Sequence, residues 1–357
     1  MPPSTAANLL GRLAALDGGI TTLLDWSHIM NSPAHADAAV AAHKDSGVRG
    51  VFAMGWPQAP KPGIWISKST TDLPDDIRRV RRTHFANNDG MVQLAMAARG
   101  PDFAVIEQVA RDLRTARELD IRTTVHIGFA VAGGIAAMNK AKLLGPDITH
   151  VHARDSTEEE LQMIKDSGGT VSISPLDEMM RVRWRRGLPP VVRSVQRGLV
   201  VSLSCDSEST SAGDMFSIMR NTLAVGRVEA ANPPDNRPEP ANFSAANYIS
   251  TKRVLEMATL DGAKTIGQEK RIGSLEIGKD ADFLMLQADN LAYYPLQDPI
   301  DAIVGAADTG SLEAVFVQGR PVKWNGQMLD TALVARAKRL ASESRDYLFS
   351  KTGYKPT

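Results

Sequence analysis

Three side chains that can bind a metal or move a proton each stand at the end of a run that reads as a buried strand. Residues 199–205 (Leu-Val-Val-Ser-Leu-Ser-Cys) are mostly apolar and break at Asp206 into the polar string Ser-Glu-Ser-Thr. A short apolar run bounded by such a break is the pattern of a buried strand. Residues 122–126 (Arg-Thr-Thr-Val-His) end on His126, followed by Ile-Gly-Phe, and residues 148–152 (Ile-Thr-His-Val-His) end on His152, followed by Ala-Arg-Asp. Two imidazoles and a carboxylate are donors for a divalent ion and the groups that carry protons near neutral pH. In an α/β barrel the C-terminal strand ends form one catalytic face, so the three point to one site.

The elements that must position them alternate. Helix-like stretches at 8–16, 34–45, 103–119, 135–144, 156–166 and 214–225 are interleaved with strand-like runs at 20–25, 48–55, 91–98, 122–128, 148–152, 170–174 and 200–205. Strand–helix alternation at about 25–40 residues predicts a parallel sheet, and its regularity predicts a TIM-like (β/α) barrel. The count is seven strands, one short of the closed form. After residue 231 the texture changes: 232–247 is rich in Pro and Asn and reads as a loop, 252–266 as a helix, 272–286 and 312–324 as glycine-bounded β segments, and 331–349 as a closing helix. The expected organisation is a barrel over 1–265, a small β appendage over 266–330, and a C-terminal helix and tail over 331–357.

The chain has 357 residues, 43% hydrophobic and 23% charged, with a formal net charge of zero. That balance is ordinary for a globular chain and gives no electrostatic case for nucleic acid or an anionic membrane. The single cysteine, Cys205, excludes an intrachain disulfide and fits a reducing compartment; its expected role is a small core thiol. No apolar run approaches the ~20 residues of a bilayer span, and residues 1–8 lack the marks of a secretory signal, so a cytoplasmic location is expected.

Three stretches resemble the amidohydrolase superfamily, within it the branch of cytosine, guanine and methylthioadenosine/adenosylhomocysteine deaminases and triazine hydrolases. Residues 19–25 (Gly-Ile-Thr-Thr-Leu-Leu-Asp) are similar to that family's second barrel strand, and 203–206 (Leu-Ser-Cys-Asp) to its eighth. Residues 258–267 (Ala-Thr-Leu-Asp-Gly-Ala-Lys-Thr-Ile-Gly), followed by 272–282 (Ile-Gly-Ser-Leu-Glu-Ile-Gly-Lys-Asp-Ala-Asp), are similar to the return of the chain into a β-sandwich, with 315–324 as a later strand. The resemblance implies that His126 is a metal ligand, that His152 binds metal or polarises substrate, and that Asp206 binds metal and takes the proton of the attacking water. Zinc is the metal it implies. Two features depart from the pattern. The His-x-His pair of the family's first strand has no counterpart before residue 19, as if the chain began after that strand. Phe129 stands where deaminases of this branch carry a glutamate that protonates the leaving nitrogen.

Other histidines and arginines carry bland and functional readings. His150 shares a strand with His152 and reads as structural, deeper in the barrel if both point inward. His28 and His35 follow the first strand and could replace missing ligands, although loop histidines are commoner; His43 and His84 read as helix and loop surface. Arg181 and Arg183, with Arg185 and Arg186, follow the 170–174 strand and could clamp an anionic substrate group, the plainer reading being a solvated basic loop. Arg78 to Arg82 read as a solvated helix face. The expectation is a metal-dependent hydrolase of a C–N bond in a small amide, cyclic amide or amidine. The alternative is a truncated or degenerate, non-catalytic barrel acting as a binding subunit, its open edges covered by partner strands in an oligomer.

Overall fold

In a computed structural model, described over residues 3–57, 68–70, 75–128, 131–180, 188–231 and 249–355, the alternation becomes one parallel sheet. Its strands are β1 (Thr22–Ser27), β2 (Arg49–Met54), β3 (Val92–Ala98), β4 (Arg122–Ile127), β5 (Ile148–His152), β6 (Thr170–Ile173) and β7 (Val201–Leu203). They lie side by side in chain order, each parallel to the next, with Leu24 facing Val51, Ala53 facing Ala95 and Val125 facing His150. Parallel neighbours need a crossover, and here helices supply it.

Alternating strand residues feed two apolar clusters, as a period of two requires. Phe52, Met54, Leu94, Met96, Val125 and Ile127 join the larger cluster, which takes in Val40, Val109 and Leu113 from the helices. Val51, Ala53, Ala95 and Ala97 form the smaller one with Leu24, Trp26 and the 263–272 segment. Small alanines on that face allow seven strands to curl into a half-barrel of TIM-like form. The edges β1 and β7 do not pair with each other. At β7 the expected open edge is partly capped. The Val201 N–H donates to Asp261 at 3.3 Å, and Arg253 holds the same carboxylate.

A second sheet is antiparallel, in the order β11–β10–β9–β8, with β8 (Phe283–Leu286), β9 (Leu312–Val317), β10 (Arg320–Trp324) and β11 (Gln327–Met328). It is tied to the first by Arg49, fully buried, whose guanidinium reaches Asp282 at 2.7 Å and Asp280 at 2.8 Å. No helix among the described residues is long and apolar enough to cross a membrane.

Two histidines differ from the reading above. His43 is buried, not surface: it bonds Asp25 at 2.9 Å and touches Arg12. Burial, with Arg12 beside it, outweighs Asp25 and holds the ring at about 4, so it is neutral. His84 closes the helix Asp76–His84 and bonds Asp37 at 2.8 Å. Arg79 of that helix pairs with Asp37 and Asp76, while Ile77 and Val80 are buried.

Asp112 gives this scaffold a pH dependence. Burial pushes its carboxyl up to about 6, against the opposing pull of Gln108 and Arg99. An unfolded aspartate releases its proton near ~3.9, so between that pH and 6 the native chain binds more protons. Stability therefore falls as pH rises through that window, by up to about 3 kcal/mol. Asp112→Asn is expected to be more stable than wild type at pH 7 and to lose that advantage by pH 4, as read from urea midpoints. An unchanged gap at both pH values would refute the assignment.

Candidate functional site

The three residues singled out by type do converge. His126 is the fifth residue of β4, His152 the last of β5, and Asp206 lies three residues beyond β7. The His126 and His152 rings sit 5.0 Å apart between centroids, and His152 Nε2 lies 3.6 Å from Asp206 Oδ2. Trp26, from the end of β1, meets His126 edge-on at 4.3 Å, and Phe103 approaches it at 6.3 Å.

His152, Ala153 and Asp206 all have left-handed backbone, with φ of 71°, 47° and 59°. For non-glycine residues this costs of order 1–3 kcal/mol each and persists only where surrounding bonds impose it. Here they do. The Ala153 N–H donates to Ile127 O at 3.0 Å and the Asp155 N–H to Gly128 O at 2.9 Å, stitching the ends of β4 and β5 together. The Asp206 N–H donates to Ser204 Oγ at 2.9 Å.

Sequence reasoning passed over Glu178. It belongs to the short helix Pro175–Met180 that follows β6, and its side chain is almost wholly buried. Its Oε1 pairs with His152 Nδ1 at 2.9 Å and accepts the Ser174 N–H at 2.9 Å. Asp177 is buried beside it and accepts a hydrogen bond from the Thr210 hydroxyl, which holds the loop after Asp206. A signal existed: Asp177-Glu178 follows β6 much as Asp206 follows β7. Two acids in the first turn of a helix look like ordinary dipole partners, which hid them. Burial opposes charge on His152, but the bond and charge of Glu178, with Asp206 and Asp177 behind it, outweigh that and raise its pKa.

The two histidines of β5 do not share a role. His150 bonds Thr170 O at 3.1 Å, and its Cε1 lies 3.0 Å from where a Cβ on Gly169 would sit, beside Ile164. Thr149, on the other face, lines the barrel interior with Thr265 and Ile266. His150 therefore packs toward the helix layer and not deeper in the barrel. The left-handed turn at His152 breaks the alternation and aims that ring at the mouth. His28 lies beside Trp26, and His35 bonds the Ser32 hydroxyl at 2.7 Å. Cys205 is partly buried; burial, then Glu208, pushes its thiol up to about 11, so it stays protonated. Arg181, Arg183, Arg185, Arg186 and Phe129 lie outside the described residues. The interior cavity lined by Gln93, Arg122, Thr124 and Thr149 is at the opposite, N-terminal end of the strands.

Among the described residues no group of three His, Cys, Asp or Glu side chains is already drawn together to hold a metal. The pair at the centre nevertheless has suitable chemistry and spacing. Two atoms bound at ~2.0–2.1 Å to one tetrahedral ion lie ~3.3 Å apart, close to the 3.6 Å between His152 Nε2 and Asp206 Oδ2. The bond from Glu178 to the other ring nitrogen is the usual companion of a ligating histidine.

The chain belongs to the amidohydrolase family, whose model matches residues 4–322. Among curated relatives, a 5-methylthioadenosine/S-adenosylhomocysteine deaminase of Shouchella clausii is 24% identical, over 91% of this chain and 71% of the relative. A 5'-deoxyadenosine deaminase of Methanopyrus kandleri is 23% identical, over 90% and 70%. Among solved structures, a zinc-bound adenosine deaminase of Xanthomonas campestris superposes with a TM-score of 0.79 at 21% identity, covering 97% of this chain and 76% of that one. Atrazine chlorohydrolase of Arthrobacter aurescens, complexed with zinc, gives 0.75 at 19% identity, covering 95% and 77%. These neighbours bear out the TIM-like fold.

Proposed function

We propose that this chain is a metal-dependent hydrolase of a C–N bond in a small molecule, an amide, cyclic amide or amidine. The observation that carries it is His152, held by Glu178 through one ring nitrogen and facing Asp206 with the other, at the mouth of a parallel sheet. Family membership and the deaminases among its relatives support the bond class, and zinc in two neighbours supports the metal. His126, His152 and Asp206 would hold the ion, which when bound supplies Lewis acidity and makes a water more acidic. Asp206 accepts the proton of the attacking water on the carboxylate oxygen that does not hold the ion. His152, held by Glu178 through Nδ1, keeps its Nε2 aimed at the same space. Phe129 has no proton to give a leaving nitrogen, which favours amide-type hydrolysis over deamination of a nucleobase. Arg181 and Arg183 remain the candidates for gripping an anionic substituent.

Elemental analysis of the purified chain tests the metal. Near-stoichiometric zinc is expected in the wild type and a marked loss in His126→Ala and His152→Ala. Folded wild-type protein that takes up no divalent metal would instead support a binding subunit that has lost its chemistry.

A further inference from the structure

We infer that Glu178 is a positioning residue that fixes the tautomer and direction of His152, keeping the proton on Nδ1 and leaving Nε2 as the lone-pair atom facing Asp206. The inference rests on the proposed reading of the site and deepens it.

The contact is buried. Glu178 is 1% exposed and His152 3%. Glu178 Oε1 is pinned by the Ser174 N–H as well as by Nδ1, both at 2.9 Å, so the carboxylate cannot swing away without breaking two bonds. Arg154, two residues past His152, donates from Nη1 to the Glu178 carbonyl at 2.8 Å. The turn carrying the imidazole and the helix carrying the carboxylate are thus bolted together in both directions. A carboxylate only accepts hydrogen bonds, so a ring nitrogen bonded to it carries the hydrogen. In the neutral ring the other nitrogen then has a free lone pair, and here that nitrogen is Nε2.

A purely structural role does not account for the carboxyl group. Glu178 Oε2 is buried with no hydrogen-bond partner among the described residues. A buried, half-satisfied polar group costs free energy that an apolar side chain of the same shape would avoid. That group stands where an imidazole faces it. Partners of this kind, one bond behind a metal-binding histidine, typically contribute 10–100-fold to metal affinity.

The test uses the full chain labelled with 15N-histidine, metal-free, at a pH where the His152 ring is neutral, with ring-nitrogen shifts reporting the tautomer. Wild type is expected to show His152 protonated on Nδ1. Glu178→Gln, which leaves an acceptor oxygen in place, is expected to keep that form. Glu178→Ala is expected to release the Nε2–H form and to weaken zinc binding, measured against a competing chelator, by about 10–100-fold. Should Glu178→Ala not fold, Glu178→Asp, which keeps the charge but shortens the reach by one methylene, carries the same comparison. A folded Glu178→Ala, or Glu178→Asp in its place, with the His152 tautomer unchanged overturns the inference, even if wild type binds zinc and the hydrolase reading stands. The expected tautomer shift in a chain that takes up no zinc upholds the positioning role while removing the metal-dependent function.

Discussion

Asp206→Asn is expected to lower the hydrolytic turnover by about 10²–10⁴-fold, the range a well-placed general base contributes, while the fold survives. The substitution separates two properties of this residue. Its backbone is left-handed, with φ of 59°, a conformation that asparagine and aspartate tolerate better than other side chains. Its carboxylate faces His152 at 3.6 Å and is a quarter exposed to the mouth, where a water and a substrate can reach it. Asparagine keeps the first property and removes the second, because an amide cannot take a proton from water at neutral pH. Asp206→Ala loses both and is expected to cost about 1–2 kcal/mol of stability besides. Steady-state kinetics on a substrate found by screening amides, cyclic amides and amidines, with a urea melt beside them, separates these effects. An Asn variant turning over at the wild-type rate would exclude Asp206 as the base.

Gly100→Ala is expected to destabilise the chain by about 2–4 kcal/mol and to disturb the site from below. Gly100 follows β3 with φ of 65°, and a Cβ there would stand 2.6 Å from the carbonyl oxygen of His126. Backbone cannot rotate out of the way as a side-chain tip can. Either the β4 end carrying His126 moves, or the turn at 100 opens. Gly47→Ala is the control. It has a similar φ of 71° but nothing within 4 Å of the added atom, so only the left-handed conformation is charged, about 1–2 kcal/mol. Denaturant midpoints of the two variants, with zinc titrations alongside, isolate the steric part. Equal losses at the two positions would mean that the close approach to His126 is wrong.

Local pattern was enough for much of this chain. Apolar runs of strand length, set between helical stretches, determined seven parallel strands and placed His126, His152 and Asp206 at the ends that become the mouth. That inference works because a strand's direction and its C-terminal residue are properties of the chain alone, and parallel strands must present those ends together. The long helix at the C-terminus and the β segments before it were legible for the same reason.

Properties that depend on what packs against a residue were not legible. His43 looks like a polar residue on a helix, yet tertiary packing buries it between Arg12 and Asp25. His150 and His152 are two apart in one strand, and strand alternation puts them on one face; a left-handed turn at His152, held by bonds from β4, sends them apart. Glu178 reads as a helix-starting acid, and only the approach of the Pro175–Met180 helix to the end of β5 makes it the partner of His152. The sequence by itself determined which side chains could do the chemistry and at which end of the sheet they stand. Tertiary structure decided how the central imidazole is oriented, because a ring's direction and tautomer are set by contacts from distant segments that no local pattern encodes.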